Sequence, residues 1–299
     1  MDTKMHGRDR LTAAFVVRGE RACALVETGP KTSVGAVVAA LDAAGVDEPD
    51  WIVVTHVHLD HAGAAGTLAR RWPRARVAVH SVGAPHLVDP TKLWNSARRI
   101  YGDDMERLWG GIDPIDAQRV RALDDGDVVD LGGRSLRAVE TPGHAYHHHA
   151  FLDDATGALF TGDALGVRLP DAGVIRPASP PPEFHLERAL ESIERIRALA
   201  PSTLWFTHFG AHDAGAGAGG VDETCERASA ALRTWARWVR DARSDGRSVD
   251  DVVADVARHA RGAMEASLDD ATIERLEDTT SYRMNVGGFV RYFDKHTDA

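Results

Sequence analysis

Apolar positions along the first quarter of the chain follow two rhythms, and each predicts an element. Residues 13–17 and 23–27 are short apolar runs on either side of Arg18-Gly19-Glu20-Arg21, which predicts two strands joined by a tight turn. Residues 34–44 carry apolar side chains at helical spacing and stop at Gly45, a common helix terminator. Trp51-Ile52-Val53-Val54 is continuously apolar, the pattern of a strand buried on both faces. A helix over residues 64–71 ends near Pro73, and residues 76–80 predict a further strand.

Between residues 81 and 121 the pattern loosens. Pro85, Pro90 and Pro114 lie among helical fragments with Trp94, Tyr101 and Trp109, which predicts an inserted lid rather than core sheet. Residues 128–131 and 135–140 predict strands around a Gly132-Gly133 turn, and residues 149–152 and 158–161 a hairpin-like pair. A proline-rich loop at 177–182 leads to a helix over 186–199, and residues 203–207 predict the last strand. Residues 214–220, rich in Gly and Ala, read as a joint, and residues 222–296 predict three or four helices. The expected organisation is a catalytic domain over residues 1–213, with the lid at 81–121, followed by a helical extension over 214–299.

Composition narrows what such a chain can do. It has 299 residues, 43% hydrophobic and 27% charged, enough to bury a sizeable core. No apolar run approaches the roughly 20 residues that span a bilayer. The polar N-terminus, with Arg18 and Glu20 breaking the first apolar run, does not predict a signal peptide, so a cytoplasmic location is expected. A formal charge of −10 argues against nucleic acid as a partner, and the arginines between 227 and 247 alternate with acids as on a solvated helix face. Cys23 and Cys225 are too few and too far apart for a disulfide framework or a zinc ribbon, and are expected as free thiols. The unusual count is 15 histidines, and their placement carries the chemistry.

Thr55-His56-Val57-His58-Leu59-Asp60-His61 directly follows the buried strand at 51–54. Where a strand gives way to a loop, alternate side chains can converge, so His56 and His58 can share a metal while Asp60 and His61 reach a second beside it. Neutral imidazole and carboxylate suit zinc, iron or manganese. Three more candidates stand at strand ends beside a glycine: His144 after Gly143, Asp163 after Gly162, and His208 two residues before Gly210. Taken singly, each histidine would be read as an ordinary loop residue; four strand ends delivering His or Asp read as a metal centre. The run His147-His148-His149, with His80, His86 and His185, is not counted among the ligands, and His149 is read as the start of a strand that alternates faces. No His-Glu-x-x-His helix or Gly-x-Ser-x-Gly elbow occurs, so zincin proteases and serine hydrolases are not supported.

In order and context, the pattern His-x-His-x-Asp-His, His, Asp, His resembles that of the metallo-β-lactamase superfamily over roughly residues 12–210. The resemblance implies an α+β fold, a four-layer αβ/βα sandwich, here followed by an all-α appendage. Carried over by position, His56, His58 and His144 would bind one metal, Asp60, His61 and His208 a second, and Asp163 would bridge them. Relatives place a histidine near His148 in a supporting role. Where the family's second strand usually ends Asp-Thr-Gly, this chain has Glu27-Thr28-Gly29. That acid supports ligands rather than binding metal, so the set of ligands is complete. The ligand set differs from that of the classical β-lactamases, which usually also carry a secretion signal.

The expected function is hydrolysis of a small-molecule ester, thioester or lactone by a hydroxide held between two divalent ions about 3.5–4 Å apart. Zinc is the first expectation, with iron or manganese accepted by the same donors. Asp60 is expected to orient the hydroxide as the catalytic residue, and Glu27 to support a ligand histidine. Tyr146, Arg168, Trp94 and Trp109 are the expected substrate residues, with Tyr101 and residues 281–285 also placed near the pocket. Helical tails in glyoxalase II and thioesterase-like relatives help roof the site. The alternative from another class is an iron-dependent oxidoreductase, as in the persulfide dioxygenases of the superfamily, where one iron is bound by two His and an Asp. The expected partners are a small-molecule substrate and, through apolar tail helices, a second copy of the chain; neither nucleic acid nor membrane is expected.

Overall fold

In the first compact unit, Met1–Glu140 with His147–Gly162, the two apolar runs around Gly19 pair as an antiparallel hairpin, β1 (Phe15–Arg18) and β2 (Cys23–Val26). The structure, a computed structural model, describes residues 1–169, 172–213, 220–243, 247–265 and 267–296. From β2 the chain runs through α1 (Val34–Ala43) to β3 (Trp51–Val53), then α2 (Leu59–Ala62), α3 (Ala65–Arg71) and β4 (Arg76–His80). β3 lies parallel between β2 and β4, with Leu25 opposite Ile52 and Ile52 opposite Val77. Val37 and Leu41 of α1 with Leu68 and Ala69 of α3 join Leu25, Ile52, Val77 and Val79 in one buried cluster. Fully buried aliphatic side chains of this kind each contribute about 1.5–3 kcal/mol.

The segment expected as a lid is helical at first: α4 (Ala84–Val88), α5 (Thr91–Tyr101) and α6 (Met105–Trp109). Met105 and Trp109 form a buried cluster with Met5, Leu11 and Leu59, and Trp94 and Tyr101 pack on it. The helices thus rest on the N-terminal segment and on the residue just before Asp60. Sheet then resumes earlier than expected. β5 (Val120–Leu123) pairs parallel with β4, so Val120 and Arg121 belong to the core sheet rather than to the lid. Its half-exposed sequence, Val-Arg-Ala-Leu, is that of an edge strand and lacks a strong apolar signature.

The same unit holds four antiparallel strands, β6 (Val128–Asp130), β7 (Ser135–Glu140), β8 (His149–Asp153) and β9 (Ala158–Gly162). Both β8 and β9 are buried at every position, so His149 belongs to a strand covered on both faces and not to an alternating one. Phe15 of β1 meets Phe160 of β9 with ring centroids 5.2 Å apart, so the two sheets face one another. At the edge where the chain leaves β3, the amide of His149 donates to the Thr55 carbonyl at 2.8 Å.

The second compact unit comprises Thr141–Tyr146 and Asp163–Ala299. It contains the hairpin β10 (Val167–Arg168) and β11 (Ile175–Arg176), then α7 (Leu186–Leu199) and the hairpin β12 (Thr203–Phe206) and β13 (Gly210–Asp213). β13 was not expected, since Gly-Ala-His-Asp has no strand pattern; pairing with β12 makes it one. Residues 214–219 of the expected joint lie outside the described residues. Four helices follow: α8 (Gly220–Arg243), α9 (Val249–Met264), α10 (Asp270–Thr279) and α11 (Tyr282–Lys295). Side-chain caps on exposed backbone amides start three of them, Ser248 for α9, Asp269 for α10 and Ser281 for α11. Met264, Ile273 and Leu276 share a buried cluster with Val167 and Leu169. Arg176 of β11, 2% exposed, donates to the Thr280 carbonyl at 3.0 Å and to the Tyr282 hydroxyl at 2.9 Å. The tail helices are therefore packed into this unit. Among the described residues no helix is long and apolar enough to cross a membrane, and Cys23 and Cys225 are free thiols.

Candidate metal centre

The first unit brings four of the expected donors together. Strand pairing stops with β3, and the chain passes through Val54 and Thr55 into His56. His58 flanks the short helix α2, which carries Asp60 and His61. His56 Nε2 lies 2.9 Å from His58 Nδ1, and His61 Nε2 lies 3.6 Å from Asp60 Oδ2. The rings of His56 and His61 are 4.0 Å apart, and both side chains are fully buried. The Asp60 side chain keeps 21% of its surface exposed.

The opposite nitrogens of the two buried rings are turned to supporting groups. His56 Nδ1 is 3.0 Å from Thr55 Oγ1, and His61 Nδ1 is 3.2 Å from Glu27 Oε2. The other oxygen of Glu27 accepts from the Thr55 amide at 3.3 Å. Fixing Nδ1 in this way turns Nε2 toward the neighbouring donors, as ligand histidines require. Glu27 does so from a left-handed backbone, φ 67°, a costly conformation for a residue with a Cβ. His148 packs its ring 4.9 Å from that of His56, and His147 packs 5.6 Å from His58.

The second unit brings the other three donors together around Asp163, which comes directly after the last residue of β9. Asp163 Oδ2 lies 3.5 Å from His144 Nε2, and Asp163 Oδ1 lies 3.5 Å from His208 Nε2. These separations are long for hydrogen bonds. They match the edge of about 3.3 Å between two ligands held 2.0–2.1 Å from one tetrahedral ion. All three side chains are buried, 5% exposed at His144, 6% at Asp163 and 1% at His208.

Local packing explains how His144 and His208 are aimed. Gly143 has φ 132°, and a Cβ there would stand 2.3 Å from the Ala189 amide nitrogen, so the turn sits directly on α7. Gly143 accepts from the His185 amide at 2.8 Å, Ser192 Oγ donates to the Pro142 carbonyl at 2.6 Å, and His144 Nδ1 donates to the Ala178 carbonyl at 2.9 Å. Around His208, the Arg168 amide donates to the His208 carbonyl at 2.7 Å, and the Phe209 amide to the Arg168 carbonyl at 2.9 Å. Burial, reinforced by Arg227, lowers the pKa of the Arg168 guanidinium.

The donor chemistry, neutral imidazole with carboxylate, fits divalent ions, and among the described residues those that could contribute a donor are His56, His58, Asp60, His61, His144, Asp163 and His208. The expected substrate residues are distributed differently. Trp94 lines an open cavity of about 310 Å³ with Glu106 and Ile112. Trp109 is 5% exposed and meets Tyr101 and His6 edge-on, with ring centroids 5.0 and 5.4 Å away. Tyr146 is 41% exposed, with the Arg188 guanidinium 5.6 Å from its ring centroid. Sequence reasoning missed Thr55, whose adjacency to His56 was the available signal, and it missed His6, which carries no local signal.

A family model described as Metallo-beta-lactamase superfamily matches residues 7–208. The Metallo-beta-lactamase fold-containing protein of Sulfurisphaera tokodaii is 32% identical over 204 residues, covering 67% of this chain and 73% of that protein. The Hydroxyacylglutathione hydrolase of Aeromonas hydrophila is 30% identical over 191 residues, 64% of this chain and 58% of the relative, so the chain spans little more than half of it. A crystal structure of an archaeal protein from Sulfolobus tokodaii shares the fold with a TM-score of 0.67 at 24% identity, covering 94% of this chain and 93% of that one.

Proposed function

The chain belongs to the metallo-β-lactamase superfamily, with its α+β fold of mixed sheets and added C-terminal helices, and from that premise we propose that it is a binuclear metal-dependent hydrolase of a small-molecule ester, thioester or lactone. The observation that carries the reading is Asp163, whose two oxygens each face a different histidine at 3.5 Å. By the family resemblance, His56, His58 and His144 would hold one ion, Asp60, His61 and His208 the other, and Asp163 both. Zinc comes first among the ions. Bound there, the ions supply a water of lowered pKa and polarise the substrate oxygen.

The chain's own residues do the rest. Glu27 and Thr55 keep the rings of His61 and His56 in the orientation that presents Nε2. Asp60, partly exposed, orients the attacking water and carries a proton to the leaving group. The Aeromonas hydrophila relative, named a hydrolase, supports this reaction type.

Elemental analysis of the purified protein, run beside a panel of thioesters, lactones and phosphoesters, tests the reading. Two metals per chain and turnover of an acyl substrate that stops on chelation are expected. One iron per chain, with oxygen consumed on a persulfide, would make the protein an oxidoreductase instead.

A further inference from the structure

We propose that Asn285, in the first turn of the chain's last helix, is a positioning residue for His144, acting through the loop at 177–182. This rests on the reading of His144 as a metal ligand. Ala178 and Ser179 are consecutive, and they face opposite ways. The Ala178 carbonyl accepts from His144 Nδ1 at 2.9 Å, while the Ser179 amide donates to Asn285 Oδ1 at 2.8 Å. Ser179 Oγ lies 3.2 Å from both the Asn285 carbonyl and Oδ1. Asn285 is itself held, its Nδ2 donating to Thr280 Oγ1 at 2.9 Å, and it is 1% exposed.

Two further contacts make this a seat rather than a single bond. At Gly288, one turn along α11, an added Cβ would stand 1.8 Å from the Ser179 carbonyl oxygen, so helix and loop touch backbone to backbone. Arg291 Nε donates to the Pro182 carbonyl at 3.3 Å, at the far end of the loop. Thus the tail fixes the carbonyl that fixes the proton on Nδ1 of His144, leaving Nε2 as the metal-facing lone pair. A ring nitrogen's tautomer is set by the partner of the other nitrogen. Asn285 acts without touching metal or substrate.

The test uses the full chain with ring-nitrogen-labelled histidine. Nitrogen-15 NMR reads which nitrogen of His144 carries the proton, before and after chelation, and chelator competition reads zinc retention. Asn285→Leu should lose the single Nδ1–H signature and hold zinc about tenfold more weakly. Asn285→Asp keeps both acceptor positions toward Ser179 and should restore the wild-type signature and retention. Gly288→Ala, whose added Cβ would displace the Ser179 carbonyl and the loop with it while keeping the Asn285 side chain, should repeat the loss if Asn285→Leu fails to fold. A folded Asn285→Leu or Gly288→Ala protein with the wild-type tautomer and zinc retention overturns the proposal. If the wild type binds no zinc, the metal reading fails, whereas the tautomer comparison still decides the role of Asn285.

Discussion

Glu27 Oε2 lies 3.2 Å from His61 Nδ1, and the two side chains are 1% and 0% exposed. This buried carboxylate meets the ring opposite the nitrogen proposed to bind metal, so it raises that ring's basicity and fixes its plane. Glu27→Gln keeps the shape and removes the charge. It is expected to weaken zinc retention at one of two sites by about 10- to 100-fold. Glu27→Ala should also cost about 1–3 kcal/mol, since the Thr55 amide loses its acceptor. Chelator competition and denaturant unfolding on the two variants check both numbers. Unchanged metal retention in Glu27→Gln would leave Glu27 a purely structural residue.

Asp163 turns one oxygen to His144 and the other to His208, so no single-oxygen substitute can serve both. Asp163→Ala is expected to release at least one metal and to abolish turnover. The check is metal content by elemental analysis together with the rate on whichever acyl substrate the panel identifies. Two metals retained at full rate would rule out the bridging role.

The placement of the candidate donors just past strand ends could be read before any fold was known, and the reason is local. A continuous apolar strand such as β3 ends where its apolar residues end, and His56, His58, Asp60 and His61 come directly after that point. The same holds for His208 after β12. The features that escaped depend on distant partners. β13 is a strand because β12 lies beside it, and β5 because β4 does. Asn285 lies 106 residues from Ser179, so no periodicity in either segment marks the bond. Trp109 was expected near substrate because aromatics in a loosely patterned segment are ambiguous. Its ring is 5% exposed against Tyr101 and His6, a contact made by an N-terminal turn with no pattern of its own.

Arg176 clamps β11 to the junction of α10 and α11. Its guanidinium lies 4.4 Å from the Tyr282 ring centroid and donates to Thr280 and Tyr282. Burial, partly offset by Tyr282 and Glu277, lowers its pKa below the usual arginine value, yet it stays charged. Arg176→Met keeps an apolar stem but leaves the Thr280 carbonyl without this donor, and is expected to cost about 1–3 kcal/mol. A shift of the urea midpoint measures it. A loss below about 0.5 kcal/mol would show that the clamp contributes only what a surface contact does.

His149 gives the fold an acid sensitivity of a defined sign. Its ring is fully buried, stacked on His80 with centroids 4.2 Å apart, and neither ring nitrogen makes a hydrogen bond among the described residues. Burial, then repulsion from His80, pushes its pKa from 6.5 down to about 3, against the pull of Asp125, Asp124 and Asp127. Burial also lowers His80, with Glu140 pulling the other way. The folded protein therefore keeps His149 neutral at pH values where the unfolded chain binds a proton. Its contribution to stability is complete above about pH 6.5 and is lost as pH falls from there toward 3, with a slope approaching about 1.4 kcal/mol per pH unit. His149→Leu replaces an unbonded polar ring with hydrocarbon. It should be at least as stable as wild type at pH 7.5 and lose about one proton's worth of slope between pH 6 and 4.5. Urea unfolding across that range reads the slope directly, and parallel curves for variant and wild type would mean that another group carries the acid sensitivity.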